Sequence, residues 1–168
     1  MTGRPRTVTG STRATRVAVP LVPTLLLADA DPASRAMVRD ALLEGVGPCD
    51  LRTVDSHDQL MDYLHRRNDH EPRKKPAPTP SLIVVDHDLP PTGGIEAVRA
   101  IKSNDDLRRI PVVVLAARIE PEHQAAAYDA GANTLIPKPV TFLALVKLMK
   151  VFTAYWLEAA VLPPEGNR

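Results

Sequence analysis

Five short apolar segments that alternate with helical patterns constrain the fold of this chain more than any other feature. Several of these segments are apolar throughout rather than at every second position. That pattern is typical of strands covered on both faces, as in a parallel sheet. The predicted strands are Thr24–Ala28, Leu51–Val54, Leu82–Val85, Val112–Leu115 and Thr134–Ile136.

Helical patterns fill the intervals between these strands. Asp31 followed by Pro32 predicts the N-cap and first turn of a helix that ends near Glu44, and Ser56–Gln59 predicts a capping box. The other helices are predicted at Gly94–Ser103, Pro121–Ala130 and about Val140–Ala160. The alternation predicts an α/β doubly wound fold. Its five-stranded parallel sheet should have the order 2-1-3-4-5, with helices on both faces.

Composition limits the classes of function. A chain of 168 residues is long enough for one domain with one core, and its net charge of +1 argues against a general nucleic-acid binder. The single cysteine, Cys49, fits a reducing compartment, and no run of eighteen apolar residues predicts a membrane span. We therefore expect a cytoplasmic protein with no nucleic-acid or membrane partner.

The ends of the chain differ in composition from its middle. Residues 1–23 carry four arginines and no acid, so we interpret them as a flexible basic tail rather than as a targeting leader. The folded domain is expected at residues 24–160 and a short C-terminal tail at residues 161–168. The proline-rich stretch Arg67–Pro80 is interpreted as a surface loop within this domain.

Acidic residues follow the first and third predicted strands. Asp29 and Asp86 come directly after these strands, and Asp31 and Asp88 lie two residues further along. The ends of adjacent parallel strands lie about 4.8 Å apart, so the carboxylates there can share a cation such as Mg²⁺. Lys138 follows the fifth strand at the same edge and can neutralise a phosphoryl group. Taken alone, Asp31 is equally well explained as a helix cap.

Four stretches of the chain resemble the receiver domains of response regulators. They are Leu25–Pro32 (LLLADADP), Leu82–Pro90 (LIVVDHDLP), Ile110–Leu115 (IPVVVL) and Gly131–Pro139 (GANTLIPKP). The resemblance covers about residues 24–157. It is greatest to the stand-alone receivers that partner bacterial phytochrome histidine kinases, which also have the patterns seen here at Asp62–His65 and Tyr155–Trp156.

This resemblance implies a role for each residue at the strand ends. Asp86 would accept a phosphoryl group from a sensor histidine kinase, and Lys138 would pair with the phosphoryl oxygens. Asp29, Asp86 and the backbone carbonyl of Asp88 would hold Mg²⁺, with Asp31 as a further candidate ligand. Lys138-Pro139 matches a Lys-Pro pair that is expected to be cis in this family.

The chain departs from the family pattern at several site positions. Ala30 replaces the second acid after the first strand, which should weaken Mg²⁺ binding. Ala116 and Ala117 occupy the phosphoryl-facing positions after the fourth strand, and Ala116 lacks the usual Ser or Thr hydroxyl. Leu135 replaces the usual aromatic residue of the fifth strand. The alternative interpretation is therefore a degenerate receiver that binds partners without phosphorylation.

Two further interpretations concern catalysis and assembly. Asp86-His87-Asp88 also resembles the start of haloacid-dehalogenase-type phosphatases, but those enzymes need an acidic pair soon after the lysine, so we expect no enzyme. In the last helix, a second apolar line lies beside the predicted core stripe. We expect it to form a homodimer through strand 5 and helices 4–5, or to dock on a kinase. The core stripe comprises Phe142, Leu145, Met149, Phe152 and Trp156, and the second line comprises Leu148, Val151 and Tyr155.

Overall fold

A parallel sheet flanked by helices forms the described part of this computed structural model, namely residues 22–44, 49–65 and 77–163. The strands are β1 (Thr24–Ala28), β2 (Asp50–Val54), β3 (Leu82–Asp86), β4 (Val112–Ala116) and β5 (Thr134–Pro137). The α-helices are α1 (Pro32–Leu43), α2 (His57–His65), α3 (Gly94–Ser103), α4 (Pro121–Asp129) and α5 (Phe142–Thr153). The basic tail lies almost entirely outside the described residues, as do most of the proline-rich loop and the end of the C-terminal tail.

The strand order is β2-β1-β3-β4-β5, and every pair of neighbouring strands is parallel. The predicted fold class and order are therefore confirmed. All residues of β1 and β4 are buried, whereas β2 and β5 are edge strands with several half-buried positions. The continuous apolar segments thus correspond to the strands that have neighbours on both sides and helices on both faces.

The sheet separates two hydrophobic layers. Alternate β1 side chains point to opposite faces, so Leu26 joins the layer beneath α2, α3 and α4. Leu25 and Leu27 join the layer beneath α1 and α5. This arrangement buries the strands and leaves their carboxyl ends at one rim of the sheet, where the loops to the helices begin.

Local sequence sets where the first helix begins. The Asp31 carboxylate accepts a hydrogen bond of 2.9 Å from the Ala33 N–H, and Pro32 occupies the first turn of α1. The structure thus shows the predicted cap. The cap directs the chain from the tip of β1 straight into α1, and this fixes the spacing between Asp29 and the first helical turn.

The last helix differs from its prediction in two respects. It begins at Phe142 and passes at Ala154 into a π-helical segment, Ala154–Ala159, so the predicted span is covered by two kinds of helix. The prediction that Phe142 belongs to the buried stripe is wrong, because its first-turn position leaves it 42% exposed. Burial in α5 begins at Leu145, which packs in the layer shared with α1.

Two other findings come from the described residues. No helix among them is long and apolar enough to cross a membrane. The cis peptide bond that they contain joins Pro90 to Pro91, so the expectation of a cis Lys138-Pro139 bond is wrong.

Candidate functional site

Asp29 is a fully buried carboxylate at the tip of β1. Its backbone N–H donates to the Val54 carbonyl at 3.0 Å, which ties it to the end of β2. Its side chain is 1% exposed. One carboxylate oxygen accepts from the Asp31 N–H at 2.9 Å, and the other accepts from the Ser34 hydroxyl at 2.6 Å. The start of α1 therefore holds this carboxylate in one orientation.

Asp86 and Lys138 complete a charged cluster with Asp29. Asp86 is the last residue of β3, and the backbone N–H of Lys138 donates to the Ala116 carbonyl at 2.8 Å just beyond β5. The Lys138 Nζ lies 2.8 Å from the Asp29 carboxylate and 3.1 Å from the Asp86 carboxylate. The structure thus brings together the two acids and the amine that the sequence placed at strand ends.

The surroundings distinguish the two carboxylates. Burial raises the pKa of Asp29, but hydrogen bonds from Lys138, Ser34 and the Asp31 N–H outweigh burial and hold that pKa below its usual value. Burial also raises the pKa of Asp86, and there the charge and hydrogen bond of Lys138 do not offset it. Asp86 is therefore the carboxylate whose negative charge the protein stabilises less.

The partners of Lys138 raise the pKa of its amine by more than burial lowers it. Burial lowers the pKa of its amine, whereas the hydrogen bond to Asp29 and the charges of both acids raise that pKa above its ordinary value. The Lys138 side chain is 21% exposed, so it remains partly accessible from the rim. A charged ammonium group therefore lies between the two carboxylates.

The remaining candidate ligands lie around this cluster. One carboxylate oxygen of Asp31 caps α1. The Asp88 side chain is 75% exposed and lies 2.9 Å from Nδ1 of His87, while its backbone N–H donates to the Asp86 carboxylate. No group of three or more His, Cys, Asp or Glu residues suited to a metal occurs in residues 22–44, 49–65 and 77–163. Among the candidate acids in the described part of the chain, Asp29 and Asp86 contact Lys138.

The positions that depart from the family pattern carry no polar side chain. Ala116 ends β4 and is fully buried, whereas Ala117 is exposed just beyond it. Leu135 is half-buried and packs against the layer beneath α2, α3 and α4. The rim therefore offers no hydroxyl at Ala116, and β5 offers no aromatic hydroxyl at Leu135.

The structure adds three residues that the sequence analysis did not single out. Ser34 and Arg35 approach Asp29 from the first turn of α1. The Ser34 hydroxyl donates to the Asp29 carboxylate, and the Arg35 guanidinium donates to the Asp29 backbone carbonyl. Gly94 lies where a Cβ atom would come within 2.1 Å of the Asp86 carbonyl oxygen. Ser34 and Arg35 could have been found from the sequence, because the predicted start of α1 at Pro32 places both residues directly after the tip of β1.

Comparison with known protein families identifies this arrangement. Residues 25–150 match the model of the response regulator receiver domain. The chain belongs to the response-regulator receiver family. The family resemblance stated from the sequence is therefore confirmed.

This receiver is similar to response regulators of phytochrome systems. It is 30% identical to the response regulator Rcp1 of Synechocystis over 139 residues, which cover 83% of this chain and 92% of Rcp1. The crystal structure of the phosphorylated cyanobacterial phytochrome response regulator RcpA superposes with a TM-score of 0.75 at 31% identity, over 84% of this chain and 99% of RcpA. That of Mn²⁺-bound Rcp1 superposes with a TM-score of 0.74 at 29% identity, with the same coverage.

Proposed function

We propose that this receiver accepts a phosphoryl group on Asp86 from a phytochrome-type sensor histidine kinase. The observation that carries the proposal is the contact of one lysine with two aspartates at the rim. Lys138 bridges Asp29 and Asp86 through distances of 2.8 and 3.1 Å. The similarity to Rcp1 and RcpA supports the choice of kinase class.

The proposed reaction forms an acyl phosphate. A carboxylate oxygen of Asp86 attacks the phosphorus of a phosphohistidine, and the phosphorus–nitrogen bond breaks as the oxygen–phosphorus bond forms. The freed imidazole keeps the electron pair and takes a proton from solvent. Asp86 suits the role of nucleophile because its charge is less stabilised than that of Asp29 and because its side chain remains 13% exposed.

Lys138 and Asp29 would position and neutralise the reacting group. The Lys138 amine already lies beside the Asp86 carboxylate, so it can bind a phosphoryl oxygen there without a large displacement. Asp29 holds the amine from the other side, and Ser34 holds Asp29. This fixed chain of contacts lowers the reorganisation that phosphoryl transfer would require.

The donor set fits a weakly bound Mg²⁺ ion. Oxygen ligands suit Mg²⁺, which is commonly held by one or two carboxylates together with water and phosphate oxygens. Asp29, Asp86 and the backbone carbonyl of Asp88 would hold it, and it would supply positive charge beside the phosphoryl group. Ala30 provides no carboxylate, so we infer weaker binding than in a receiver with three acids.

A second candidate function follows from the missing hydroxyl. Ala116 is buried and offers only a methyl group where a hydroxyl would meet the phosphoryl group. If Asp86 is not phosphorylated, the protein acts as a pseudo-receiver that binds its partner through its surface. In either case we infer a cytoplasmic signalling protein that is not an enzyme and binds neither nucleic acid nor membrane.

The face formed by β5, α4 and α5 supports a homodimer. On α5, Val151 is 70% exposed and Tyr155 is 58% exposed, while Tyr128 of α4 is 47% exposed. Between β5 and α5 lies a groove of about 500 Å³ that includes Ile136 and Trp156 in its lining. Contact between two copies would remove these apolar side chains from water.

Transfer from a purified kinase tests the proposed function. A phytochrome-type histidine kinase, autophosphorylated with labelled ATP, should transfer its label to the wild-type chain and not to Asp86→Asn. A chemotaxis-type kinase serves as the comparison for partner class and should transfer more slowly. Equal labelling of wild type and Asp86→Asn would contradict Asp86 as acceptor, and equal rates from both kinases would contradict the partner class.

A further inference from the structure

Ala116 and Leu135 themselves offer no polar side chain that could link the phosphoryl site to β5. Ala116 is fully buried and Leu135 packs within an apolar layer. Neither side chain can form or break a hydrogen bond when the charge at Asp86 changes. A structural change caused by that charge must therefore reach the rest of the protein through other contacts.

His87 is held firmly beside Asp86. Its backbone N–H donates to the Leu115 carbonyl at 2.7 Å, and its carbonyl accepts from the Gly94 N–H at 2.7 Å. Its ring is 18% exposed, and Nδ1 lies 2.9 Å from the Asp88 carboxylate. Its side chain thus belongs to the same short loop as the proposed phosphoryl acceptor.

The ring of His87 contacts α4. The centroid of the His123 ring lies 4.5 Å from that of His87, and the two rings are tilted by 41°. His123 stands in the first turn of α4, where residues 121–125 are all exposed. The ring pair therefore joins a solvent-facing helix turn to the loop that follows β3.

Helix α4 has little else to anchor its first half. Its sequence contains three consecutive alanines, and Ala127 is its buried residue. A short alanine side chain buries little apolar surface, so a small change in free energy can shift such a helix. A single aromatic contact is enough to change the ratio of two positions of the helix by roughly two- to tenfold.

A phosphoryl group on Asp86 would disturb this contact directly. The Asp88 N–H donates to the Asp86 carboxylate, and the Asp88 side chain contacts His87. Added charge and volume at Asp86 would draw the Asp88 N–H toward the new oxygens and shift the His87 ring with it. The His123 ring, and with it the first turn of α4, would have to follow or lose the contact.

We propose that the His87–His123 ring pair transmits the occupancy of Asp86 to helix α4. His123 is a positioning residue in this proposal, because it acts on the helix and contacts no reacting group. The inference rests on the proposed function, since it requires a phosphoryl group at Asp86. It gives this chain a route to the α4 face that does not use the positions of Ala116 and Leu135.

Hydrogen exchange of the full chain tests the route. Wild type, His123→Ala, His123→Phe and the control Gln124→Ala are incubated with acetyl phosphate and Mg²⁺. Occupancy of Asp86 is read by intact mass in the same samples. We expect similar occupancy in all four proteins and a roughly two- to tenfold change in exchange of the α4 amides on phosphorylation of wild type. His123→Phe and Gln124→Ala should keep that change and His123→Ala should lose it.

The possible contrary results are distinguishable. The same α4 response in His123→Ala as in wild type overturns the ring-pair route and leaves the proposed function intact. Loss of the response in His123→Phe as well as in His123→Ala contradicts ring packing as its basis. Loss of the adduct in His123→Ala alone would place His123 at the acceptor itself and overturn a downstream role. Absence of the adduct in wild type contradicts the proposed function, and the route falls with it.

Discussion

At the scale of single residues, the site depends on two aspartates with opposite electrostatic behaviour. Asp29 is stabilised as a carboxylate by Lys138, Ser34 and a backbone N–H, so its pKa is lowered. Asp86 shares the same lysine, but burial outweighs that partner and its pKa is raised. A buried charge with several partners stabilises the fold, whereas one with few partners costs free energy.

Opposite effects on stability should therefore follow from the two Asp→Asn substitutions. In buffer with a metal chelator at neutral pH, Asp29→Asn should lower the free energy of unfolding by about 1–3 kcal/mol, because it loses its bond with a charged amine. Asp86→Asn should leave it unchanged or raise it by up to about 1 kcal/mol. Urea unfolding measures both, and a larger loss for Asp86→Asn than for Asp29→Asn would contradict the assignment.

The lowered pKa of Asp29 also sets a pH window. An acid whose pKa in the folded protein lies below its unfolded value stabilises the fold above the unfolded value, here 3.8, and loses that effect as the pH falls through the folded pKa. The stability difference between wild type and Asp29→Asn should be constant from about pH 5 to about pH 8 and shrink below 3.8. A difference that already shrinks near pH 6 would show that another group is responsible.

Strand order made the cluster predictable, but helix contacts did not follow from the sequence. With the order 2-1-3-4-5, the tips of the first and third strands are neighbours, so Asp29 and Asp86 had to meet. Ser34 and His123 depend on the rotation of α1 and α4 relative to the sheet. Single-sequence patterns do not fix that rotation, least of all in α4, whose alanines define no apolar face.

At the scale of elements, the loop from β3 to α3 positions Asp86. Gly94 begins α3 with its backbone against the Asp86 carbonyl, and the Gly93 N–H donates to the Leu89 carbonyl at 2.7 Å. Gly93 itself has a φ of 91°, which favours glycine. The loop therefore requires two consecutive small residues for different reasons, one for backbone angle and one for space.

Substitution of Gly94 by alanine should displace this loop. The added Cβ would lie 2.1 Å from the Asp86 carbonyl oxygen and 3.1 Å from the His87 Cα, so the backbone has to move. We expect a loss of about 2–4 kcal/mol in thermal or urea unfolding. Glu96→Ala, at an exposed position of α3, should change stability by less than about 0.5 kcal/mol. Similar values for the two variants would contradict the tight approach.

Element boundaries were predictable where local chemistry marks them. Asp31-Pro32 marked the start of α1, and Gly131, with a φ of 95°, follows the end of α4. The π-helical segment Ala154–Ala159 has no such marker, because apolar residues run through the whole region and no cap separates it from α5. In the structure, Trp156 and Leu157 of this segment pack against the layer beneath α1 and α5.

At the scale of the whole molecule, the apolar face on β5, α4 and α5 is the surface through which we propose that two copies associate. Val151 and Tyr155 are exposed and line the groove between β5 and α5. The strand-end site lies at the rim, separate from this face. A dimer through the face would therefore leave Asp86 open to a kinase.

A charge placed in this face should separate the two copies. Light scattering at micromolar concentration should give twice the monomer mass for wild type and the monomer mass for Val151→Lys, because burial of an unpaired ammonium is costly. Leu43→Lys, also an exposed apolar residue but on α1, should remain dimeric. A monomeric wild type, or a dimeric Val151→Lys, would contradict this interface.

The proposed function requires that Asp86 accept a phosphoryl group although positions 30 and 116 are alanines. The most direct measurement is the intact mass of the full chain after incubation with acetyl phosphate and Mg²⁺. We expect an adduct of about 80 Da on wild type that is absent from Asp86→Asn. An adduct of the same size on both proteins, or none on wild type, would contradict the claim.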